Sequence, residues 1–257
     1  MSVAEEILEM YPSIKADLFE TLGWKVDFRP IVQIDKEGDI LKKTTGSKMF
    51  VAYAVPKENL IVLDSSRVYA KPFSLESTLK HELCHLLLHR NIEGLPRWFD
   101  EGVCQWASGG IWELMAEDSE RTLHKATLTG RLMGIEKLSS FPPDDLTLAY
   151  EESKSIVEYI NREFDKQGIL QVLNYLKEGY SLDESFQRGL SISTSELEVK
   201  WRGYLKRKYT WGSYLSHNLY GILFLIAALA TTFGFIRMLK KKREYKDKNE
   251  EDDIEYK

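Results

Sequence analysis

Residues 79–103 read LKHELCHLLLHRNIEGLPRWFDEGV, and this stretch decides how the chain is understood. Within it, His81-Glu82-Leu83-Cys84-His85 has H-E-x-x-H spacing. Residues four apart share a helix face, so both imidazoles can reach one metal ion. Glu82 lies beside that face, where it can take a proton from a metal-bound water. In a chain with five histidines, such a motif arises by chance in about one sequence in a hundred. Leu79, Leu83, Leu86, Leu87 and Leu88 make the segment apolar and predict a buried helix. Two histidines and a glutamate among leucines cost free energy unless they are paired or bind metal. A catalytic zinc site needs three protein ligands and an open position. Sixteen residues beyond His85, Glu101 offers the third from the next helix, after a turn and an antiparallel return.

Working outward, Ser74 suits the N-cap of the motif helix, which runs to about Arg90. Asn91 and Gly94 break it, and Pro96 suits the first position of the next helix. Upstream, residues 3–22 predict a helix interrupted near Pro12 and closed by Gly23. Ile31 to Ile34, Phe50 to Val55 and Leu60 to Asp64 read as strands, the last two joined by Pro56 to Asn59. Downstream, helices are expected over Ala149 to Lys166 and Ile169 to Glu178, with a short one after Asp183. A capping box at Ser195 and Glu198 is expected to start a last helix that reaches Tyr209.

H-E-L-C-H followed by P-R-W-F-D-E-G-V-C resembles the gluzincin metallopeptidases, whose third zinc ligand is a Glu in an E-G context. The likeness is greatest to the peptidase MA-like group of membrane or exported proteins. Ala149-Tyr150-Glu151-Glu152-Ser153 resembles that group's A-Y-x-x-S segment, and the pattern ending at Leu197 and Trp201 is similar too. The resemblance covers roughly Val51 to Tyr204. It implies Zn2+ held by His81, His85 and Glu101, with Glu82 as general base in peptide hydrolysis. In related aminopeptidases a Tyr on a later helix stabilises the oxyanion, which makes Tyr150 a candidate beside its reading as a packed core residue. The spacing from His85 to Glu101 is shorter than in the aminopeptidases. Their G-x-M-x-N element is not visible near Met49 to Val55, which points to an endopeptidase or a narrow-specificity enzyme.

Other residues keep simpler readings. His89 is expected at the helix C-terminus, favoured by the dipole rather than by metal. Asp100 either supports a ligand or is exposed. His124 is a runner-up to Tyr150 in a polar stretch. Cys84 and Cys104 are expected to pack as small hydrophobes, with a disulfide as the alternative. Two cysteines exclude a disulfide-rich scaffold and a four-Cys zinc site.

From Tyr209 to Ile236 there is no Asp, Glu, Lys or Arg. Leu219 to Ile236 reads LYGILFLIAALATTFGFI, and as a helix it rises about 27 Å, close to the hydrocarbon thickness of a bilayer. Trp211, Tyr214 and Tyr220 form an aromatic belt on its entry side, and Arg237, Lys240, Lys241, Lys242 and Arg243 follow. Net charge is 35 − 40 = −5, which argues against a nucleic-acid partner. Residues 1–20 carry Glu5, Glu6, Glu9, Asp17 and Glu20 and do not resemble a signal peptide. Either the domain stays on the side of synthesis or an upstream signal is missing. The basic flank favours an extracytoplasmic domain with a cytoplasmic tail, which requires that extension.

The expectation is an α+β zinc metallopeptidase domain over residues 1–208, with a small N-terminal sheet over the active-site helix and a helical C-terminal part. A juxtamembrane segment and transmembrane helix over 209–239 and a charged, unstructured tail over 240–257 follow. The partners are a peptide or protein substrate and the bilayer. The rival is a catalytically silent, membrane-tethered binding or scaffold protein with the same fold.

Overall fold

The computed structural model describes residues 2–45, 50–70, 73–109, 119–209 and 219–255. The chain divides into two units, Met1–Arg207 and Lys208–Lys257. The first is mostly helical with one small sheet, an α+β arrangement.

Helix α1 (Val3–Leu22) begins on a Ser2/Glu5 capping box and ends on Gly23 in the left-handed region. It runs through Pro12 without a break, contrary to the sequence expectation. The carbonyl that proline deprives of its partner belongs to Leu8, an exposed residue, so water can serve it. Ile7, Ile14, Leu18 and Leu22 form the buried stripe.

Strands β1 (Ile31–Asp35), β2 (Ala52–Val55) and β3 (Leu60–Asp64) form a sheet in the order β1-β3-β2. β1 and β3 are parallel, with Ile31 opposite Leu60, and the chain crosses between them through α2 (Asp39–Thr45). β2 and β3 form an antiparallel pair, Ala52 opposite Leu63, turned by Asn59 at φ 49°. β3 is central, and Ile61, Val62 and Leu63 are almost wholly buried. β2 is an edge, and it packs against α3 (Leu75–Asn91).

Helix α3 is capped by Ser74, as expected. Helix α4 (Arg97–Ala107) starts one residue after Pro96, which is its N-cap. Helices α5 (Ser119–Thr129) and α6 (Ile135–Ser140) lead to α7 (Leu146–Lys177), which kinks at Asp165 (φ 55°, ψ 179°). The two helices expected there therefore exist, joined three residues before Gly168. Helices α8 (Leu182–Leu190) and α9 (Thr194–Lys208) complete the unit. The box that starts α9 is Ser193 with Glu196, not Ser195 with Glu198. Glu198 is instead occupied by Arg202 and the Ile135 N–H.

The core is centred on α3, α4, α7 and α8. Trp98 and Phe99 on α4 meet Phe186 on α8 at ring separations of 6.4 and 5.6 Å. Trp201 is fully buried and donates to Ser155 Oγ at 3.0 Å.

The second unit contains α10 (Leu219–Glu255). Its first 22 residues, Leu219–Lys240, are long and apolar enough to cross a membrane. The helix continues through the tail, which the sequence reading leaves unstructured. Trp211 and Tyr214 of the expected aromatic belt lie outside the described residues, as does Met49.

Candidate metal centre

α3 and α4 build the site between them. His81 and His85 stand one turn apart on α3, with Nε2 atoms 3.0 Å from each other. Glu101 Oε2, from α4, lies 3.8 Å from His81 Nε2 and 3.5 Å from His85 Nε2. All three residues are buried. Ligands about 2.05 Å from a tetrahedral zinc are about 3.3 Å apart, so these spacings fit one such ion with a fourth position left for water. Two imidazole nitrogens at this separation, facing a carboxylate oxygen, form a donor set that suits zinc.

Each histidine is oriented from behind. Asp100 Oδ1 lies 2.9 Å from His85 Nδ1 and Oδ2 lies 2.9 Å from His89 Nε2. A proton held on His85 Nδ1 by this carboxylate leaves the Nε2 lone pair for a metal. Ser108 Oγ sits 3.5 Å from His81 Nδ1 and itself donates to the Cys104 carbonyl at 2.7 Å. Asp100 is thus buried and in contact with His85, which resolves its two sequence readings. His89 stands in the last turn of α3 as expected, paired with Asp100.

Burial alone lowers the His85 pKa, but Asp100 and Glu101 outweigh it and hold the imidazolium well above the ordinary 6.5. Burial likewise pushes Asp100 up, and the two imidazoles bring it below the usual carboxylate range. A metal that binds here must displace the His85 proton, so its affinity rises with pH.

Cys84 on α3 and Cys104 on α4 are joined by a disulfide, the alternative to the expected packing role. Both are fully buried. The bridge ties the histidine helix to the glutamate helix. It also removes Cys104 as a ligand, although the residue lies close to His85 and Asp100.

Gly102 sets the other contact of α4. A Cβ there would collide with the Ser153 carbonyl and lie 2.7 Å from Val157 Cγ2. The small residue after Glu101 lets α7 approach closely, and α7 carries Tyr150. Ser153 Oγ turns back onto the Ala149 carbonyl at 2.7 Å, so the A-Y-x-x-S segment is a packing element that presents Tyr150. The Tyr150 hydroxyl donates to Glu101 Oε1 at 3.3 Å and accepts from Arg97 Nη2 at 3.3 Å. His124 is buried on α5.

A cleft of about 600 Å³ opens over the site. Glu82, His85, Glu101 and Tyr150 line its floor, and Ala52, Tyr53 and Ala54 of the β2 edge line one wall. His81 lies beneath, with no exposed surface. Sequence reading missed Arg97, Ser108 and Phe141, which also shape this region. Helical spacing carried a signal for the first two, since Arg97 stands four residues before Glu101 and Ser108 seven after it.

No curated protein matches the chain. The family model described as the Peptidase MA superfamily matches residues 47–207. That span runs from just before the edge strand, through both helices of the candidate metal centre, to the last helix of the folded unit. The chain belongs to the Peptidase MA superfamily.

Proposed function

We propose that the protein is a membrane-anchored, zinc-dependent endopeptidase. One observation carries this reading: two imidazole nitrogens and a carboxylate oxygen converge within 3.8 Å at the floor of a cleft that Glu82 also lines. His81, His85 and Glu101 would hold the ion. When bound, zinc supplies a Lewis acid that brings the pKa of a coordinated water towards about 7. Glu82 takes the proton from the attacking water and returns it to the leaving amine. Tyr150 donates a hydrogen bond to the developing oxyanion, for which its hydroxyl hydrogen turns away from Glu101 Oε1. An extended peptide adds to the outer edge of β2, where backbone groups offer pairing alongside the cleft.

The span Leu219–Lys240 anchors the chain in a bilayer, with Arg237, Lys240, Lys241, Lys242 and Arg243 on the cytoplasmic side and the peptidase domain outside. The buried Cys84–Cys104 disulfide supports that side, because such bridges persist in oxidising compartments. The test is elemental analysis of the purified full-length chain together with hydrolysis of a peptide library. Stoichiometric zinc with chelator-sensitive cleavage is expected, and a metal-free or inert chain would refute the reading. Protease accessibility of a tag after Lys257 in intact cells decides the orientation, and digestion from outside would reverse it.

A further inference from the structure

Arg97 opens α4 at the lip of the cleft. Apart from histidines it is the one cation among the described residues that line it. Its guanidinium rests on the Phe141 ring, 4.3 Å from the centroid. Phe141 in turn meets the Tyr150 ring edge-on at 4.9 Å. Nη2 donates to the Tyr150 hydroxyl at 3.3 Å, and Nε lies 3.5 Å from Glu101 Oε1. These contacts fix the plane of the guanidinium but use only part of its five N–H donors. Half of the side chain, 49%, remains exposed.

Such an arginine is a pre-oriented fork for a carboxylate. Among the described residues the rest of the lining holds no further Lys or Arg, and Phe50, Leu95, Pro143 and Leu146 make it largely apolar. Arg97 also sits close to the candidate metal ligands. Its Nε is 3.5 Å from one oxygen of Glu101, and the sister oxygen faces the two histidines. Consecutive Cα atoms in a peptide are about 3.8 Å apart. A carboxylate held by Arg97 therefore belongs to the residue next to the carbonyl under attack, or to one close by.

We propose that Arg97 is a specificity-determining residue that selects substrates bearing a carboxylate next to the scissile bond. The proposal rests on the peptidase reading of the same site. The carboxylate is either a free chain terminus or an Asp or Glu side chain, and both present the same two oxygens to the fork.

The experiment uses the full-length zinc-loaded chain in detergent and two series of matched peptides. In one series the peptide ends in a free α-carboxylate or its amide. In the other, an amidated peptide carries Glu or Gln beside the cleaved bond. The wild-type chain is expected to prefer the carboxylate member of one series by about tenfold or more in kcat/KM, mostly through KM. The series that discriminates identifies the source of the carboxylate. Arg97→Gln brings the ratio close to one, and Arg97→Lys, which keeps the charge and loses the fork, gives an intermediate ratio. Calorimetric binding of the same pairs to zinc-loaded Glu82→Gln chain gives the same preference without turnover.

Equal handling of acid and amide by the wild-type chain in both series overturns the proposal and leaves the peptidase reading intact. An acid preference that survives in Arg97→Gln also overturns it. Preferential binding of the carboxylate peptides without cleavage supports Arg97 and refutes the peptidase reading. Neither binding nor cleavage refutes both. Should Arg97→Gln fail to hold zinc, the wild-type ratio and Arg97→Lys still decide.

Discussion

Helix α3 and the span Leu219–Lys240 are both rich in leucine, yet they place their surfaces in opposite ways. In α3, Leu79, Leu83 and Leu87 are fully buried, and His81, Glu82 and His85 lie inside among them. In the C-terminal span, Leu223, Phe224, Leu225 and Phe233 are all exposed, and none of that span is buried. Both segments nevertheless give particular polar groups close partners. The imidazoles of α3 are held by Asp100 and Ser108 from α4 and its C-cap. In the span, Thr231 and Thr232 return their hydroxyls to the carbonyls of Ala227 and Ala228 at 2.8 Å. Similar composition thus fits two different surroundings. The protein core tolerates ionisable groups because a neighbouring helix supplies partners, whereas a lone helix facing lipid must satisfy everything within itself.

The largest test of this contrast removes a partner from the polar core. Glu101→Ala leaves two imidazoles facing an apolar gap, too few ligands for a catalytic zinc site. Loss of most bound zinc and of all hydrolysis is expected, read by elemental analysis and peptide cleavage. Retention of stoichiometric metal would place the third ligand elsewhere.

Leucine substitutions probe the same contrast directly. Leu83→Ala, at a fully buried position of α3, is expected to lower the stability of the folded unit by about 2–5 kcal/mol. Leu225→Asp instead puts a charge in the apolar span at a cost of about 2.5–3.5 kcal/mol for insertion. It is expected to release the protein from membranes while its peptide hydrolysis in detergent persists. Thermal unfolding and membrane fractionation read the two, and a Leu225→Asp chain that unfolds the peptidase unit would break the comparison.

A smaller effect lies within the cleft. Tyr150→Phe deletes one hydroxyl and little volume. If the phenol contacts the transition state, kcat falls by about 10²-fold with KM nearly unchanged. Unchanged kcat with a shifted Tm would assign Tyr150 to holding Glu101 and Arg97 in place.

The meeting of His81, Glu82 and His85 at one site was legible because it follows from local spacing, and helical periodicity is local. Glu101 and Tyr150 were legible through short segments, E-G and A-Y-x-x-S. The pairing of Asp100 with His85 and His89 was not, because it depends on the angle at which α4 crosses α3. The Cys84–Cys104 bridge depends on the same packing, across 20 residues of sequence. The parallel β1–β3 pair is likewise non-local, and α5 and α6 carry too short an apolar pattern to stand out. At the start of α9 two S-x-x-E patterns overlap, and the choice falls to Ser193 because Arg202 draws Glu198 away.

The smallest effect concerns Glu152, which α7 buries completely. Burial raises its carboxyl from 4.5 to about 8, against the opposing hydrogen bond from the Met133 N–H at 2.8 Å. The folded state holds this proton more tightly than the unfolded chain. The stability it contributes is therefore fully present below about 4.5 and is lost as pH rises through about 8. Glu152→Gln keeps the shape and removes the titration, so its Tm is expected to decline less across that window than the wild type's. Parallel pH profiles would show that Glu152 is ionised in the fold.

The central claim, that a zinc-activated water and Glu82 cleave peptides here, is tested most directly by one paired measurement. Zinc content and turnover of the full-length chain are compared between wild type and Glu82→Gln. The amide keeps the shape of the side chain but cannot accept the water's proton. Zinc is expected to remain stoichiometric in both while turnover falls by about a hundredfold or more in the variant. Near wild-type turnover in a zinc-loaded Glu82→Gln chain would contradict the account.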